Sequence, residues 1–355
     1  MVRNMLRYLS RAVEVLFILL LLWCYFNSDL LLYGIAQGIG QMKIVIRARP
    51  VREVLSDPAA GDRIKSKLLY IEEVKRFAID SLGLKSSKNY TTLYDQHGKP
   101  ILWVLTASEK FQLKPYEWKF PVIGSVGYKG FFDFNKGKKE KEQLDALGYD
   151  TDYGPVSAWS TLGWFHDPIL SGMLRRNEGA LAELIIHEMT HATLYILNDV
   201  DFNENLASFV GEEGAILFLQ YKFGKIDSSM SPPYIPAPLL NYLQEKEDYD
   251  SYTAHFLKGT ASLDSLYHSF TNQLPGQEKL ALKRKMISDI VTSLDTLKFH
   301  HPEKYLQRFT HEQMPNNTYF LSFTRYDAQK DDMKKEMNEK FHGDFRNYLL
   351  SLKAK

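Results

Sequence analysis

The side chains with the types and spacing for chemistry lie in the segment Glu183–His191, which reads ELIIHEMTH. His187 and His191 are four residues apart, so on a helix of about 3.6 residues per turn both imidazoles face one side and can bind a single metal ion. Glu188 is offset from His187 by roughly 100° around the helix. Its carboxylate can therefore reach the metal's open coordination position without filling it. The pattern predicts metal-assisted hydrolysis, with zinc as the metal and Glu188 as the general base.

A catalytic zinc site needs a third protein ligand and leaves its fourth position to water. We expect Glu204 to be that ligand, because the 12 residues between it and His191 are enough to turn the chain and begin an antiparallel helix. Glu212 and Glu213 lie farther along the same expected helix and are the competing candidates. Glu204 is preferred because two helices that meet at a metal ion diverge beyond it.

Residues around Glu204 are expected to support the site from the second helix. Ala207, Ser208 and Glu212 share a helical face with Glu204 at spacings of three and four residues. The small side chains of Ala207 and Ser208 would allow close helix approach, and Ser208 or Glu212 could orient a ligand histidine through its other ring nitrogen. Asn203 offers a helix cap or a substrate contact. The alternative without a metal is a pair of hydrogen-bonded core histidines.

Hydrophobic periodicity places this site in a largely helical chain with one strand-rich part. Short runs of aromatic and β-branched residues between Tyr90 and Phe165 indicate antiparallel strands. Gly124, Gly127 and Gly130 lack the strand–loop–helix context of a phosphate-binding loop, so nucleotide binding is not expected. Helices are predicted over residues 30–50, 57–83, 136–148, 178–198, 203–218 or beyond, 240–258, 277–297, 302–309 and 328–353, with a loop over 311–317. The expected fold class is α+β, a small mixed or antiparallel sheet packed on a largely helical domain.

Composition and the N-terminus bear on compartment and partners. The 355 residues are 45% apolar and 25% charged, as in a globular protein, and a net charge of +1 gives no reason to expect nucleic-acid binding. Cys24 is the single cysteine, so no internal disulfide can form. Three arginines precede the 12-residue apolar run Val15–Phe26, which predicts an export signal with a cytoplasmic N-terminus. No small-residue cleavage site follows, which favours an uncleaved anchor, and Trp23 before Cys24 disfavours a lipoprotein signal.

The metal motif and several other stretches carry a resemblance to known metallopeptidases. The string from His187 to Ala192, followed by Asn203-Glu204, resembles the gluzincin metallopeptidases of the thermolysin and membrane-alanyl aminopeptidase groups, whose Asn-Glu helix carries the third zinc ligand. The gap between the two motifs is shorter in this chain. Over nearly its whole length the sequence is similar to a bacterial family of predicted aminopeptidases. The stretches that carry this similarity are residues 33–41, 47–55, 127–133, 160–168, 202–207 and 316–326.

This resemblance implies a zincin-like fold and a zinc peptidase acting on peptide substrates, in the first reading an aminopeptidase. It implies that Glu188 moves the proton and that a later segment stabilises the oxyanion, with Tyr326 the first candidate. It also implies a substrate edge strand before the metal helix, expected over Ser157–Phe165, with His166 and Asp167 as loop residues after it. No carboxylate for a substrate amine is identifiable. A zinc endopeptidase of the cell envelope therefore stays open, as does an inactive metal-binding scaffold, although an intact Glu188 argues against the scaffold.

The expected organisation has three parts. They are an N-terminal signal anchor over residues 1–29, a helical segment over 30–89 and a zinc peptidase domain over 90–355. Within that domain, residues 90–170 are strand-rich, 178–220 hold the metal helices and 239–355 form a helical C-terminal part. With the N-terminus in the cytoplasm, the peptidase domain would lie in the periplasm, held to the bacterial inner membrane by one anchor helix.

Overall fold

The structure, a computed structural model, describes residues 28–120, 124–156, 166–196, 199–310, 313–327 and 330–353. Contacts between residues group the chain into two units, Met1–Arg47 and Ala48–Lys355. Nearly all of the predicted anchor and the whole of the predicted substrate strand Ser157–Phe165 lie outside the described residues. Both therefore stay predictions.

The described part of the first unit is one helix, α1, Ser28–Arg47. Leu32, Ile35, Ile39 and Ile46 recur along it at spacings of three, four and seven residues, and all four are exposed. The helix ends before Pro50, as its sequence pattern predicted. Among the described residues, no helix combines the length and the apolar character needed to cross a bilayer.

Helices make up most of the described part of the second unit. They are α2, Val51–Ser56; α3, Asp62–Asp80; α4, Phe134–Ala146; α5, Glu178–Thr193; α6, Val200–Phe223; α7, Ala237–His268; α8, Gly276–Thr292; α9, Asn317–Asp327; α10, Lys330–Phe341; and α11, Phe345–Lys353. Short 3-10 turns occupy Met173–Arg175, Ser293–Thr296 and Pro302–Lys304.

The described strands form three small sheets. They are β1, Arg49–Pro50; β2, Thr92–Tyr94; β3, Trp103–Ser108; β4, Trp118–Phe120; β5, Gly124–Val126; β6, Lys129–Phe131; β7, Asp150–Pro155; and β8, Ile169–Leu170. In the first sheet β2 pairs antiparallel with β1 and parallel with β8. In the second sheet β3 lies between β6 and β7 and is antiparallel to both. The third sheet is the antiparallel pair of β4 and β5. Small mixed and antiparallel sheets beside many helices confirm the predicted α+β class.

The apolar core also includes a cluster between three later helices. α7, α8 and α9 enclose a cluster of buried aromatic and aliphatic side chains. Phe256 lies at its centre and stacks on Phe323 with ring centroids 5.1 Å apart. This cluster holds the C-terminal helices together, so the second unit folds around more than the motif helices alone.

Two predicted helix boundaries near the motif are wrong, because polar side chains close the connection between α5 and α6. The helix predicted to run to residue 198 ends at Thr193, and the next one begins at Val200, not at residue 203. Asp199 caps α6 by accepting a hydrogen bond from Phe202 N at 3.1 Å. A cap of this kind fixes the start of the following helix.

Other differences have similar local causes. The helix predicted over residues 302–309 is only a 3-10 turn, and just before it His300 N and His301 N donate hydrogen bonds to the buried carboxylate of Asp248. The helix predicted over residues 328–353 is interrupted at Gly343, whose φ of +74° is left-handed. The loop predicted over residues 311–317 is confirmed for the described residues 313–316, and α9 begins at Asn317. The helix predicted from residue 57 begins at Asp62.

Candidate metal centre

α5 presents the two histidines on one face because its start and its buried side are fixed. Asn177 caps the helix, since its Oδ1 accepts a hydrogen bond from Ala180 N at 2.9 Å. Ile185 is fully buried on the core side. His187 and His191 therefore lie one turn apart, with their rings 4.9 Å apart and nearly perpendicular.

The carboxylate of Glu204 on α6 meets both imidazoles. Glu204 Oε2 lies 3.5 Å from His187 Nε2 and 3.5 Å from His191 Nε2, and the two Nε2 atoms are 3.2 Å apart. Among the described residues this is the one group of three or more histidine, cysteine or acidic side chains whose ligand atoms converge, all within 4.8 Å of one another. The structure thus brings together the three side chains proposed as ligands.

These separations fit a shared metal ion better than a hydrogen-bonded cluster. Ligand atoms about 2.0–2.1 Å from a tetrahedral zinc ion are about 3.4 Å from one another, close to the observed 3.2 and 3.5 Å. A charge-assisted hydrogen bond between an imidazolium and a carboxylate is shorter, about 2.7–2.9 Å. Two imidazole nitrogens and one carboxylate oxygen are also a donor set that suits zinc.

Gly211 allows α6 to approach α5 at the level of the first ligand. A Cβ atom at this position would lie 3.0 Å from Glu183 O and 3.2 Å from His187 Cβ. Both distances are shorter than ordinary van der Waals contacts, so any larger residue would press on the ligand-bearing turn. The missing side chain therefore sets the distance between the two helices at the site.

Asn203 fixes the connection beside Glu204. Its Oδ1 accepts a hydrogen bond from Ile196 N at 2.8 Å, and its Nδ2 donates to Ile196 O at 2.7 Å. Only 2% of Asn203 is exposed. The buried amide of Asn203 therefore closes the loop, and the substrate contact considered for it stays a prediction.

The ligand side chains influence one another's protonation. Burial by itself would raise the pKa of Glu204, but the nearby imidazoles of His187 and His191 outweigh it and lower the pKa to about 2. Burial by itself would lower the pKa of His187, but Glu204 and the charges of Glu188 and Glu183 outweigh it and raise the pKa. Glu204 is therefore ionised before any cation binds, and its environment favours positive charge at the neighbouring imidazoles.

Glu188 lies next to the ligands with one carboxylate oxygen buried. Its Oε2 has no hydrogen-bond partner among the described residues, and neither does the buried Nδ1 of His191. Burial raises the pKa of Glu188, the imidazoles of His187 and His191 oppose this rise, and the charges of Glu204 and Asp167 add to it. A carboxylate with a raised pKa is suited to accepting a proton near neutral pH.

The remaining acidic candidates are held by lysines. Glu212 is buried between Lys330 and Lys246, whose charges outweigh burial and lower its pKa. Glu213 pairs with Lys334 at 2.6 Å. Neither carboxylate is among the converging ligands, and neither Glu212 nor Ser208 has a hydrogen bond to His187 or His191 within the described residues. The predicted role of Ser208 or Glu212 in orienting a ligand stays a prediction.

Two further predicted features are only partly visible. Tyr326 lies in the last turn of α9, and its side chain is outside the described part of the chain. His166 and Asp167 do lie in a loop, as predicted, between the undescribed substrate segment and β8. Asp167 is nonetheless 1% exposed and acts electrostatically on Glu188. This buried carboxylate contributes to the environment of the site.

Two tyrosines near the site had no sequence signal. Tyr195 follows α5, and its ring centroid lies 6.3 Å from that of His191. Burial and the charge of Glu204 raise the pKa of Tyr195, yet 38% of the residue is exposed. Tyr90 is buried, and burial together with the charges of Glu188 and Asp167 holds its pKa well above its usual range. With 21 tyrosines in the chain, only the fold could single out these two.

Comparison with known proteins gives the family. The model of the family described as "Putative aminopeptidase" matches residues 32–354, so the chain belongs to this family. No curated protein and no solved structure matches the chain. The family description supports a peptidase function, which agrees with the peptidase predicted from the sequence.

Proposed function

We propose that the chain is a zinc-dependent peptidase with a zincin-like site of gluzincin type. Among peptidases, we propose an aminopeptidase first. The observation that carries the proposal is the mutual separation of His187 Nε2, His191 Nε2 and Glu204 Oε2, 3.2 to 3.5 Å. The family description supplies the peptidase part independently of that geometry.

His187, His191 and Glu204 would hold the metal. Bound there, zinc would polarise the substrate carbonyl and lower the pKa of a bound water to about 7. Glu204 is ionised throughout the neutral range because its pKa is about 2, so this ligand carries its negative charge without losing a proton first. His187 and His191 each offer Nε2, which leaves Nδ1 as the protonated ring nitrogen.

Glu188 would carry the proton between attacking water and leaving amine. Its Oε2 is buried, so the proton would be taken at Oε1. The same atom would then donate to the amine nitrogen of the leaving fragment. A glutamine at this position cannot accept the proton, although it keeps nearly the same shape.

A phenol hydroxyl beside the ligands would stabilise the developing oxyanion. Tyr195 is the partly exposed tyrosine next to His191, and its raised pKa keeps the hydroxyl protonated and able to donate. Tyr326, named from the sequence resemblance, stays the alternative. The two are distinguished by comparing their phenylalanine variants.

The choice between exopeptidase and endopeptidase rests on the family description, which favours the aminopeptidase. An endopeptidase of the cell envelope would use the same metal and the same base. The predicted substrate strand Ser157–Phe165 would bind the peptide in either case. Anchoring in the inner membrane with a periplasmic domain is a separate proposal that rests on the apolar run Val15–Phe26.

The test measures zinc content and peptide hydrolysis for the wild type and for Glu188→Gln. We expect one zinc per chain in both, cleavage of free peptides by the wild type, and loss of cleavage in the variant. Cleavage of N-blocked peptides would replace the aminopeptidase by the endopeptidase. If the wild type binds zinc but cleaves neither free nor N-blocked peptides, both peptidase hypotheses fail, and the inactive metal-binding scaffold is the hypothesis that survives. Recovery of the full-length protein without detergent would contradict the anchor.

A further inference from the structure

The buried polar atoms that lack hydrogen bonds are concentrated around the candidate metal centre. In the described residues four buried side-chain atoms have no partner: Tyr90 Oη, Glu188 Oε2, His191 Nδ1 and Thr253 Oγ1. Three of them belong to the site or to its wall. Most buried polar groups in folded proteins are paired, so a cluster of exceptions calls for a physical explanation.

Two of these atoms are chemically complementary. The hydroxyl of Tyr90 is a donor, and the inner oxygen of Glu188 is an acceptor. Their side chains act on each other electrostatically, because the charge of Glu188 is one of the causes that keep the Tyr90 hydroxyl protonated. Leaving either group unpaired in the interior is unfavourable, whereas one bridging water would satisfy both.

The backbone holds Tyr90 beside α5 by contacts that do not involve its hydroxyl. Lys85 N donates to Thr193 Oγ1 at 2.9 Å, which fixes the start of this segment at the end of α5. Tyr90 N donates to Asp167 O at 2.7 Å, and Asp167 N donates to Asn89 Oδ1 at 3.2 Å. These bonds fix the positions of Tyr90 and Asp167, which directly precede the parallel strands β2 and β8.

Tyr90 adopts a backbone conformation that is unfavourable for a tyrosine. Its φ is +60°, in the left-handed region that favours glycine, and the residue is 1% exposed. The other non-glycine residues with positive φ in the described part are His97 and His342, and neither is buried. Strain of this kind persists where the surrounding structure requires a particular side-chain position.

We propose that Tyr90 is a positioning residue for Glu188, and that its hydroxyl donates to a buried water that in turn donates to Glu188 Oε2. This bridge orients the carboxylate so that Oε1 faces the metal ligands. Tyr90 has no contact with substrate in this arrangement and acts only through Glu188. The inference rests on the proposed function, in which Glu188 is the general base.

The first test is a double-mutant cycle on the metal-free protein, which measures the contact without any activity. Tyr90→Phe is made in the wild type and in Glu188→Ala, and the unfolding equilibrium constant in urea is measured for all four proteins. A hydrogen bond to a carboxylate predicts that the effect of Tyr90→Phe differs by about tenfold or more between the two backgrounds. Effects that agree within about twofold would overturn the proposal.

The second test asks whether the contact positions the base. With zinc-loaded enzyme, we expect Tyr90→Phe to lower kcat by roughly ten- to a hundredfold with KM changed less than about twofold, because substrate binding does not involve Tyr90. Tyr267→Phe is the matched control. It removes another buried tyrosine hydroxyl, bonded to Asn317 at 2.7 Å in the distant C-terminal core, and should leave kcat unchanged. An unchanged kcat in Tyr90→Phe would overturn the positioning role.

A third measurement covers the case in which Tyr90→Phe does not fold. The protein is labelled at the ζ-carbon of tyrosine, and NMR spectra of the metal-free wild type and Glu188→Gln are compared. We expect the Tyr90 signal to move on the Glu188 substitution and the Tyr267 signal to stay, and an unmoved Tyr90 signal would contradict the bond. A wild type without peptidase activity would refute the proposed function while the cycle and the NMR shift still decided the contact.

Discussion

Gly211→Ala should weaken zinc binding more than it weakens the fold. The added Cβ would lie 3.0 Å from Glu183 O and 3.2 Å from His187 Cβ, against an ordinary contact of 3.4 Å or more. Relieving these contacts requires a movement of a few tenths of an ångström between α5 and α6. Because His187 is on one helix and Glu204 on the other, that movement changes the separation of the ligands directly.

Two terms set the expected size of the stability change. Alanine is better than glycine inside a helix by about 1 kcal/mol. Overpacking a tight contact costs about 1–3 kcal/mol. The unfolding free energy of the metal-free protein should therefore fall by about 0–2 kcal/mol. Zinc affinity should fall at least tenfold, since metal sites require ligand distances within about 0.2 Å and disturbing the residues behind a ligand typically weakens binding 10- to 100-fold.

The assay is zinc competition against a chromophoric chelator, with urea unfolding of the metal-free protein alongside. Gly214→Ala is the matched control, because its Cβ would meet Leu82 and Ile186 at 2.9 and 3.0 Å but no ligand. It should cost similar stability and leave zinc affinity within about threefold of the wild type. Wild-type zinc affinity in Gly211→Ala, or equal losses of affinity in both variants, would refute the idea that this glycine sets the ligand spacing.

Three further perturbations test other parts of the site. In the metal-free protein the pKa of Glu204 is about 2 in the folded state against 4.5 when unfolded, so its ionised form stabilises the fold by about 3 kcal/mol. This stabilisation is present above pH 4.5 and is lost as the pH falls toward 2. The unfolding free energies of wild type and Glu204→Gln in urea should therefore differ most near pH 6 and converge in acid. Tyr195→Phe should lower kcat about 100-fold, and a comparable loss in Tyr326→Phe alone would move the oxyanion role to Tyr326. Lys330→Met should lower the unfolding free energy, measured in urea, by about 2 kcal/mol, because buried Glu212 would then pair with only one lysine. An unchanged unfolding free energy would mean that the ion pair between Lys330 and Glu212 makes no net contribution to stability.

The ligand set could be predicted from the sequence because it depends on helix geometry. A spacing of four residues puts His187 and His191 on one face whatever surrounds the helix. The converging Glu204 needed only the expectation that a second helix follows a short turn. The exact ends of α5 and α6 could not be read in the same way, because they depend on a side-chain clamp from Asn203 to Ile196 across the connection.

The environment of the base could not be predicted, because it comes from distant segments. Tyr90 and Asp167 are 77 residues apart in sequence and meet only because β2 and β8 pair in parallel. Neither residue lies in a periodic pattern that marks it. The sequence made Glu212 a candidate for supporting the metal ligands. In the structure its carboxylate instead binds Lys330 of α10, which is more than 100 residues away in the chain. Pairing between remote elements decides which acidic residues remain available to a cation.

That pairing divides the acidic residues of the motif helices into two groups. Glu212 is neutralised by its two lysines, whereas no lysine or arginine in the described residues forms an ion pair with Glu188 or Glu204. The negative charge that remains is therefore located at the ligands, where it attracts a dication. Without the cation, burial is the main cause that raises the pKa of Glu188, and the charge of Glu204 adds to it. A bound cation should lower the pKa of Glu188, which favours the ionised carboxylate that acts as the base.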